Sequence, residues 1–176
     1  MCGYLGSKPY LDLLSLFWSV PHATRAPSWA EDYHFDFDNL KWLKIFVNFE
    51  EIRLENGPPH HMEGTHKYRA IPSEILQKGY TRLKDAEVSK HIDRKHEKVF
   101  LVPAGSLLIE DTRGLHKRLT PTTTTGRRLM LTMQYSILLI EQPANKLIAC
   151  NFPITNSFAS MLKTHDNIAV KYFSAN

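Results

Sequence analysis

Cysteine and long apolar runs are scarce in this chain of 176 residues. The two cysteines, Cys2 and Cys150, lie far apart and form no Cys-x-x-Cys pair, which argues against a disulfide framework and a zinc ribbon. No apolar run approaches the roughly 20 residues of a membrane span. The nearest, Leu11 to Val20, is interrupted by Asp12 and Ser15. Because the N-terminus also lacks the features of a signal peptide, we expect a cytoplasmic protein.

Charge of one sign is not concentrated either. The formal net charge is +4 and the pI is near 9.0, but the basic residues are scattered, apart from short clusters around Lys90 to Lys98 and Lys117 to Arg128. This distribution argues against nucleic acid as a partner. A composition that is 43% hydrophobic and 23% charged is typical of a globular protein, and the length predicts a single domain over residues 1–176.

Short segments bounded by glycine and proline predict strands. Pro9 to Val20 is apolar, Leu43 to Phe49 alternates, and Leu107 to Ile109 follows a Pro-Ala-Gly turn. Phe100 to Val102 and Arg127 to Ser136 are further predicted strands. With few convincing helices, this pattern predicts a mainly β sandwich or barrel with some flanking helix.

One of these segments, Tyr33 to Asp38, places polar residues at every second position. In a strand, alternate residues share one face, so His34, Asp36 and Asp38 would point together into one cavity. The two phenylalanines between them would point into packing. A lone His-x-Asp is a weak signal, and it strengthens when a second histidine follows on another strand.

The other histidines divide into two groups. His60, His61 and His66 fit neither a helical nor a strand spacing for a metal cluster, and we interpret them as polar residues of a loop. His91 and His96 lie in a highly charged stretch and are predicted to be solvated. His116 is different, because it follows a β-rich segment and a glycine turn.

Two imidazoles and one carboxylate on one face of a metal leave three coordination positions open. This 2-His-1-carboxylate arrangement is diagnostic of non-haem Fe(II) oxygenases. Two of the open positions can take a chelating 2-oxoacid and the third can take O2. The far carboxylate of such a co-substrate needs a cation, and the planar fork of an arginine matches it best.

Arg127 and Arg128 follow His116 at the start of a predicted strand, and both are candidates for that cation. Strand parity favours Arg128, because it shares a face with Thr132 and Gln134, whereas Arg127 shares one with leucines. By the same face argument, Lys44 and Asn48 are candidates for co-substrate binding or for plain cavity lining.

With these residues in place, the chain resembles the phytanoyl-CoA dioxygenase-like family of Fe(II)/2-oxoglutarate oxygenases. The likeness rests on the His-x-Asp, the distal histidine and the trailing arginine in that order, joined by Asn-Gly-Pro and Gly-Thr-His turns. It covers most of residues 5–136, in four segments: Leu5 to Pro21, His34 to Glu51, Glu55 to Lys67 and Pro103 to Ser136.

The resemblance implies a double-stranded β-helix, the jelly-roll barrel of the cupin type. It also implies iron held by His34, Asp36 and His116, with 2-oxoglutarate as co-substrate. The family's spacing between the distal histidine and the arginine favours Arg127 over Arg128 as the partner of the far carboxylate. The implied activity is hydroxylation of a small molecule with O2, releasing succinate and CO2. The family is usually longer at its N-terminus, so the chain is expected to be a minimal or a truncated member. A non-catalytic metal-binding barrel and a basic interaction module are the alternatives.

Overall fold

The computed structural model describes residues 1–21, 31–37, 40–123 and 126–137, together with the backbone of two short strands at residues 147–148 and 172–173. Short helices are α1 (Cys2–Leu5), α2 (Ser73–Leu76) and α3 (Asp85–Val88), with single 3-10 turns at Leu54–Asn56, Tyr68–Ala70 and Arg94–His96. The strands are β1 (Tyr10–Ser19), β2 (Trp42–Asn48), β3 (Pro59–Met62), β4 (Glu97–Val99), β5 (Leu107–Glu110), β6 (His116–Arg118), β7 (Arg128–Ser136), β8 (Leu147–Ile148) and β9 (Tyr172–Phe173).

The larger sheet has four antiparallel strands in the order β1-β7-β2-β5. Lys44 lies between Glu110 and Gln134 in this sheet, and Phe46 lies between Leu108 and Thr132. Since side chains alternate along each strand, the sheet separates a polar face from an apolar one. The polar face carries the groups that line the cavity described below.

The smaller sheet has three antiparallel strands in the order β4-β3-β6. A hydrophobic core packs α2, α3 and the segment before β2 against this sheet. Burial of such side chains contributes about 1.5–3 kcal/mol each. This core holds the segment that carries His34 in place, and its members are Tyr33, Phe35, Met62, Ile71, Ile75, Leu83, Val88 and Leu115.

The mainly β architecture and four of the predicted strands are confirmed. β1, β2, β5 and β7 lie within a residue or so of their predicted ranges. The prediction for Phe100 to Val102 is wrong in position, because the strand of this region is β4 and only Val102 forms an isolated bridge, with Ile52. β4 was not predicted because two of its three residues, Glu97 and Lys98, are charged, and strands were predicted from apolar runs.

Two histidine predictions are also corrected. His60 and His61 lie on β3 and not in a loop, and each places its Nδ1 against a partly buried carboxylate. The distances are 2.8 Å from His60 Nδ1 to Glu97 Oε1 and 2.6 Å from His61 Nδ1 to Glu110 Oε1. His91 and His96 are exposed, as predicted.

Among the helices that the structure describes, none has the length and apolar character that crossing a membrane requires.

Gly57 joins the 3-10 turn after β2 to β3 in a backbone conformation with φ 73°. A Cβ atom there would overlap the backbone of Leu119 and Thr120. We expect Gly57→Ala to cost the strain of a left-handed residue, about 1–2 kcal/mol. A further ~1–3 kcal/mol would come from forced backbone movement. Urea unfolding measures both.

Gly105 is the matched control, because its φ of 81° is similar but a Cβ atom there meets nothing within 4 Å. Gly105→Ala should therefore lose only the strain contribution. Equal losses of unfolding free energy in the two variants would contradict the steric part of the prediction.

Candidate metal and co-substrate site

A cavity of about 270 Å³ lies between the two sheets. Its wall combines β1, β2, β5 and β7 of the larger sheet with β3 and β6 of the smaller one. The lining residues are Phe17, His34, Asp36, Lys44, Phe46, Pro59, Glu110, Thr112, His116, Lys117, Arg118, Arg128, Met130 and Thr132.

The two cavity histidines are held by their own backbone. His34 and His116 form a reciprocal pair of backbone N–H to carbonyl hydrogen bonds, each 2.9 Å long. His34 Nδ1 lies 2.9 Å from the carbonyl oxygen of Asp32, and His116 Nδ1 lies 2.9 Å from that of Gly114. Because a carbonyl only accepts, each Nδ1 carries the proton. Both Nε2 atoms therefore keep a free lone pair, which a metal can use.

Asp36 completes the group. Its backbone N–H donates to the Thr112 carbonyl at 2.9 Å, which fixes the chain two residues after His34. The Asp36 carboxylate then lies 4.0 Å from His34 Nε2 and 3.8 Å from His116 Nε2. It also accepts a 2.6 Å hydrogen bond from Lys44 Nζ.

The electrostatics of His34 and Asp36 suit metal binding at neutral pH. Burial and the nearby His116 lower the pKa of His34 to about 4, so its imidazole is neutral. Burial alone would raise the pKa of Asp36, but the Lys44 ammonium and His116 outweigh it and hold this pKa below its usual range. Metal ligands must be neutral imidazoles and ionised carboxylates, and the two shifts favour these states for His34 and Asp36.

One group of histidine, cysteine and acidic side chains in the described ranges is close enough together to hold a metal ion. It consists of His34, Asp36 and His116, whose ligand atoms all lie within 4.8 Å of one another. Two imidazole nitrogens and a carboxylate oxygen fit a divalent ion such as iron. The chemistry of the donor set therefore agrees with the metal that the sequence implies.

Arg128 lies in the same cavity and is fully buried. Its Nη1 donates to the carbonyl of Gly57, but its Nε and Nη2 find no hydrogen-bond acceptor in the part of the chain that the structure describes. The Oγ1 of Thr132, on the same face of β7, is likewise buried and unsatisfied there. Burial, with the charge of Arg118, lowers the pKa of Arg128 to about 10, so the guanidinium stays charged. Unpaired buried donors of this kind fit a bound carboxylate.

Two of the predicted co-substrate residues lie elsewhere. The Arg127 side chain is 68% exposed, lies over Trp18 and faces Glu50 outside the cavity. Asn48 is buried, but its Nδ2 donates to the backbone carbonyls of Phe46 and Ser106, and it does not line the cavity. Strand parity places Arg127 and Arg128 on opposite faces of the sheet. Of the predicted co-substrate residues, Arg127 and Asn48 therefore lie outside the cavity.

Other predictions for this region have mixed outcomes. Tyr33 and His34 form only isolated bridges, so the predicted strand is not regular, although His34 and Asp36 share the cavity as its alternation required. Phe35 is buried, but Phe37 is 60% exposed, which corrects its predicted packing. Asp38 lies outside the described residues.

Several cavity residues were not predicted as site residues from the sequence, among them Thr132, Glu110 and Arg118. Thr132 appeared only as a polar residue on the face of Arg128, and Glu110 was not considered. Arg118 follows His116 by two positions, so strand parity alone could have placed it on the same face.

Comparisons with known proteins show which folds the chain resembles. No protein-family profile and no curated protein sequence matches the chain. Solved structures do: the epimerase SnoN in complex with Fe3+, alpha ketoglutarate and nogalamycin RO has a TM-score of 0.54 at 16% identity. The apo form of the non-heme monooxygenase ThoJ has a TM-score of 0.52 at 16% identity, and the alpha ketoglutarate dependent carbocyclase SnoK has 0.51 at 15%. At these identities the likeness shows the fold alone.

The chain therefore shares its fold with these three proteins. The matches cover 75%, 77% and 74% of this chain, in the same order, and 51%, 49% and 52% of the matched chains. The chain thus spans about half the length of these proteins.

Proposed function

We propose that this protein is an Fe(II)- and 2-oxoglutarate-dependent dioxygenase that hydroxylates a small molecule. The fold we propose is a double-stranded β-helix of the phytanoyl-CoA dioxygenase-like type. The observation that carries the proposal is the joint presence of His34, Asp36 and His116 within one cavity and of Arg128 with two unpaired donors in the same cavity.

In this proposal the metal is held by His34 Nε2, His116 Nε2 and one oxygen of Asp36. Iron bound there with 2-oxoglutarate and O2 supplies the oxidative chemistry, in which one oxygen atom enters succinate, the other hydroxylates the substrate, and CO2 leaves. The backbone carbonyls of Asp32 and Gly114 orient the two imidazoles, which limits the rearrangement needed for metal binding.

Arg128 is the proposed partner of the distal carboxylate of 2-oxoglutarate. The Nε and Nη2 atoms form one edge of the guanidinium, and this edge pairs with the two oxygens of a carboxylate. The hydroxyl of Thr132 can donate a further hydrogen bond to the same group. Lys44 stands beside Asp36 and is proposed to face the metal-binding end of the co-substrate.

Anaerobic titration tests this function. Protein loaded with Fe(II) should develop the weak visible metal-to-ligand charge-transfer band of a chelated 2-oxoacid when 2-oxoglutarate is added. The same protein under air should convert 2-oxoglutarate to succinate. Absence of both the band and succinate would reject the assignment as an oxygenase.

A second candidate function is a metal-binding barrel without catalysis, and one contact favours it. Lys44 Nζ already lies 2.6 Å from Asp36 Oδ2, so the ammonium neutralises the carboxylate that a metal would use. Such a protein would bind a divalent ion without consuming 2-oxoglutarate or O2.

The contact predicts the effect of Lys44→Met. Removing the ammonium frees Asp36 and removes a positive charge near the bound ion, so affinity for Ni(II) should rise roughly tenfold. Isothermal titration calorimetry measures it. Lys98→Met is the control, because this lysine is exposed and pairs with Glu63. Weaker Ni(II) binding by Lys44→Met would show that the lysine orients Asp36 for the metal.

A further inference from the structure

Within the described residues, a second arginine of the cavity, Arg118, has no acidic partner. It lies on β6 two residues after His116 and lines the same cavity. Its guanidinium carbon lies 5.0 Å from the centre of the Phe17 ring, and no carboxylate of the described segments pairs with it. The Arg118 side chain is partly buried in the cavity wall. A desolvated cation in this state is costly unless a ligand supplies the missing anion.

The other cations of the cavity are already accounted for. Lys44 pairs with Asp36, and Lys117 turns to Asp85, with Nζ 2.6 Å from Oδ1. Glu110, the other cavity carboxylate, faces His61. The described cavity wall therefore carries two guanidiniums, Arg118 and Arg128, without a carboxylate for either.

One carboxylate does not need both arginines. The free edge of Arg128, Nε and Nη2, offers two donors for the two oxygens of one carboxylate, and Thr132 offers a third. The positive charge of Arg118 disfavours the charged form of Arg128. The repulsion between the two guanidiniums is best offset when each of them binds its own anion. Placement over Phe17 fits Arg118 for this task, because an arginine over an aromatic ring keeps its edge donors available.

We propose that Arg118 binds an oxyanion group of the prime substrate, which is therefore a small carboxylate or phosphate compound. The inference rests on the proposed function, because it assigns Arg128 to 2-oxoglutarate. Arg118 stands two strand positions from His116, roughly 7 Å along β6, so the anion binds close to the metal. The cavity, at about 270 Å³, is just below the roughly 300–1,000 Å³ of typical ligand pockets, and it must also hold 2-oxoglutarate. The substrate is compact.

The test uses the full chain loaded with Ni(II), which does not turn over, and saturated with 2-oxoglutarate. Calorimetric titrations with acetate, butyrate, hexanoate and 3-phenylpropionate probe carboxylates, and phenyl phosphate probes phosphates. Hexanamide and 3-phenylpropanamide are the neutral controls. We expect at least one anion to bind and its neutral counterpart not to bind. Arg118→Gln should lower the affinity for that anion by about 30-fold or more. The affinity for 2-oxoglutarate should change by less than about threefold.

Arg127→Gln is the matched control, because it removes an exposed arginine outside the cavity and should change neither affinity. The proposal is overturned if no anion binds or if the amides bind as well as the acids. It is also overturned if Arg118→Gln lowers the affinity for 2-oxoglutarate as strongly as Arg128→Gln does. If the unmodified protein does not bind Ni(II) or 2-oxoglutarate, the proposed function is overturned instead. The same anion titrations on metal-free protein then decide the role of Arg118 separately.

Discussion

Replacing Asp36 with alanine is expected to abolish succinate production and to weaken divalent metal binding by at least about 100-fold. Loss of a group that only supports a metal ligand costs 10–100-fold, so loss of a ligand costs at least as much. The change removes the carboxylate that lies within 4.0 Å of both imidazole Nε2 atoms. Succinate assays under air and calorimetric titration with Ni(II) measure the two effects.

Asp93→Ala is the control for this experiment, because its carboxylate is exposed, caps a 3-10 turn and does not line the cavity. It should keep both metal affinity and turnover. Retained succinate production by Asp36→Ala would contradict the assignment and would make Asp38, two positions later in the sequence, the alternative carboxylate.

Replacing Arg128 with methionine is expected to act in opposite directions on stability and on co-substrate binding. The affinity for 2-oxoglutarate should fall by about 30-fold or more, since a buried charge pair loses one partner. The unliganded protein should become more stable by about 1–4 kcal/mol, because a buried cation with two unsatisfied donors is replaced by an apolar side chain of similar length. Anaerobic titration and urea unfolding measure the two changes.

Arg127→Met provides the comparison, because it removes the same charge at the neighbouring, exposed position. It should leave 2-oxoglutarate affinity unchanged and alter the unfolding free energy by less than about 0.5 kcal/mol. A variant at Arg128 that is less stable and still binds 2-oxoglutarate would show that the arginine serves the fold through its contact with Gly57.

The part of the site that follows strand alternation could be predicted from the sequence. Alternation brought His34 and Asp36 to one cavity and separated Arg128 from Arg127. The same alternation predicted that Lys44 faces the cavity. These predictions succeed because a residue's face depends only on its position along its own strand.

Contacts between distant segments could not be predicted in this way. Asn48 has the right parity, but Gly105 and Ser106 approach the end of its strand, so its amide is used by backbone carbonyls. His60 and His61 seemed to belong to a loop, because their strand is defined by pairing with β4 and β6 and not by its own pattern. The balance of charge around Arg118 likewise depends on which acids the fold brings near it.

The reciprocal bridge between His34 and His116 joins segments far apart in sequence, and this separation has a thermodynamic consequence. Of the three ligands, only His34 and Asp36 are neighbours in an unfolded chain, so the complete set of ligands belongs to the folded state. Metal at a free concentration of 100 times its dissociation constant should then raise the free energy of unfolding by about 2.7 kcal/mol. The melting temperature should rise with metal concentration. The bound ion would thus stabilise the contact between two segments that are distant in sequence, in addition to its role in the reaction.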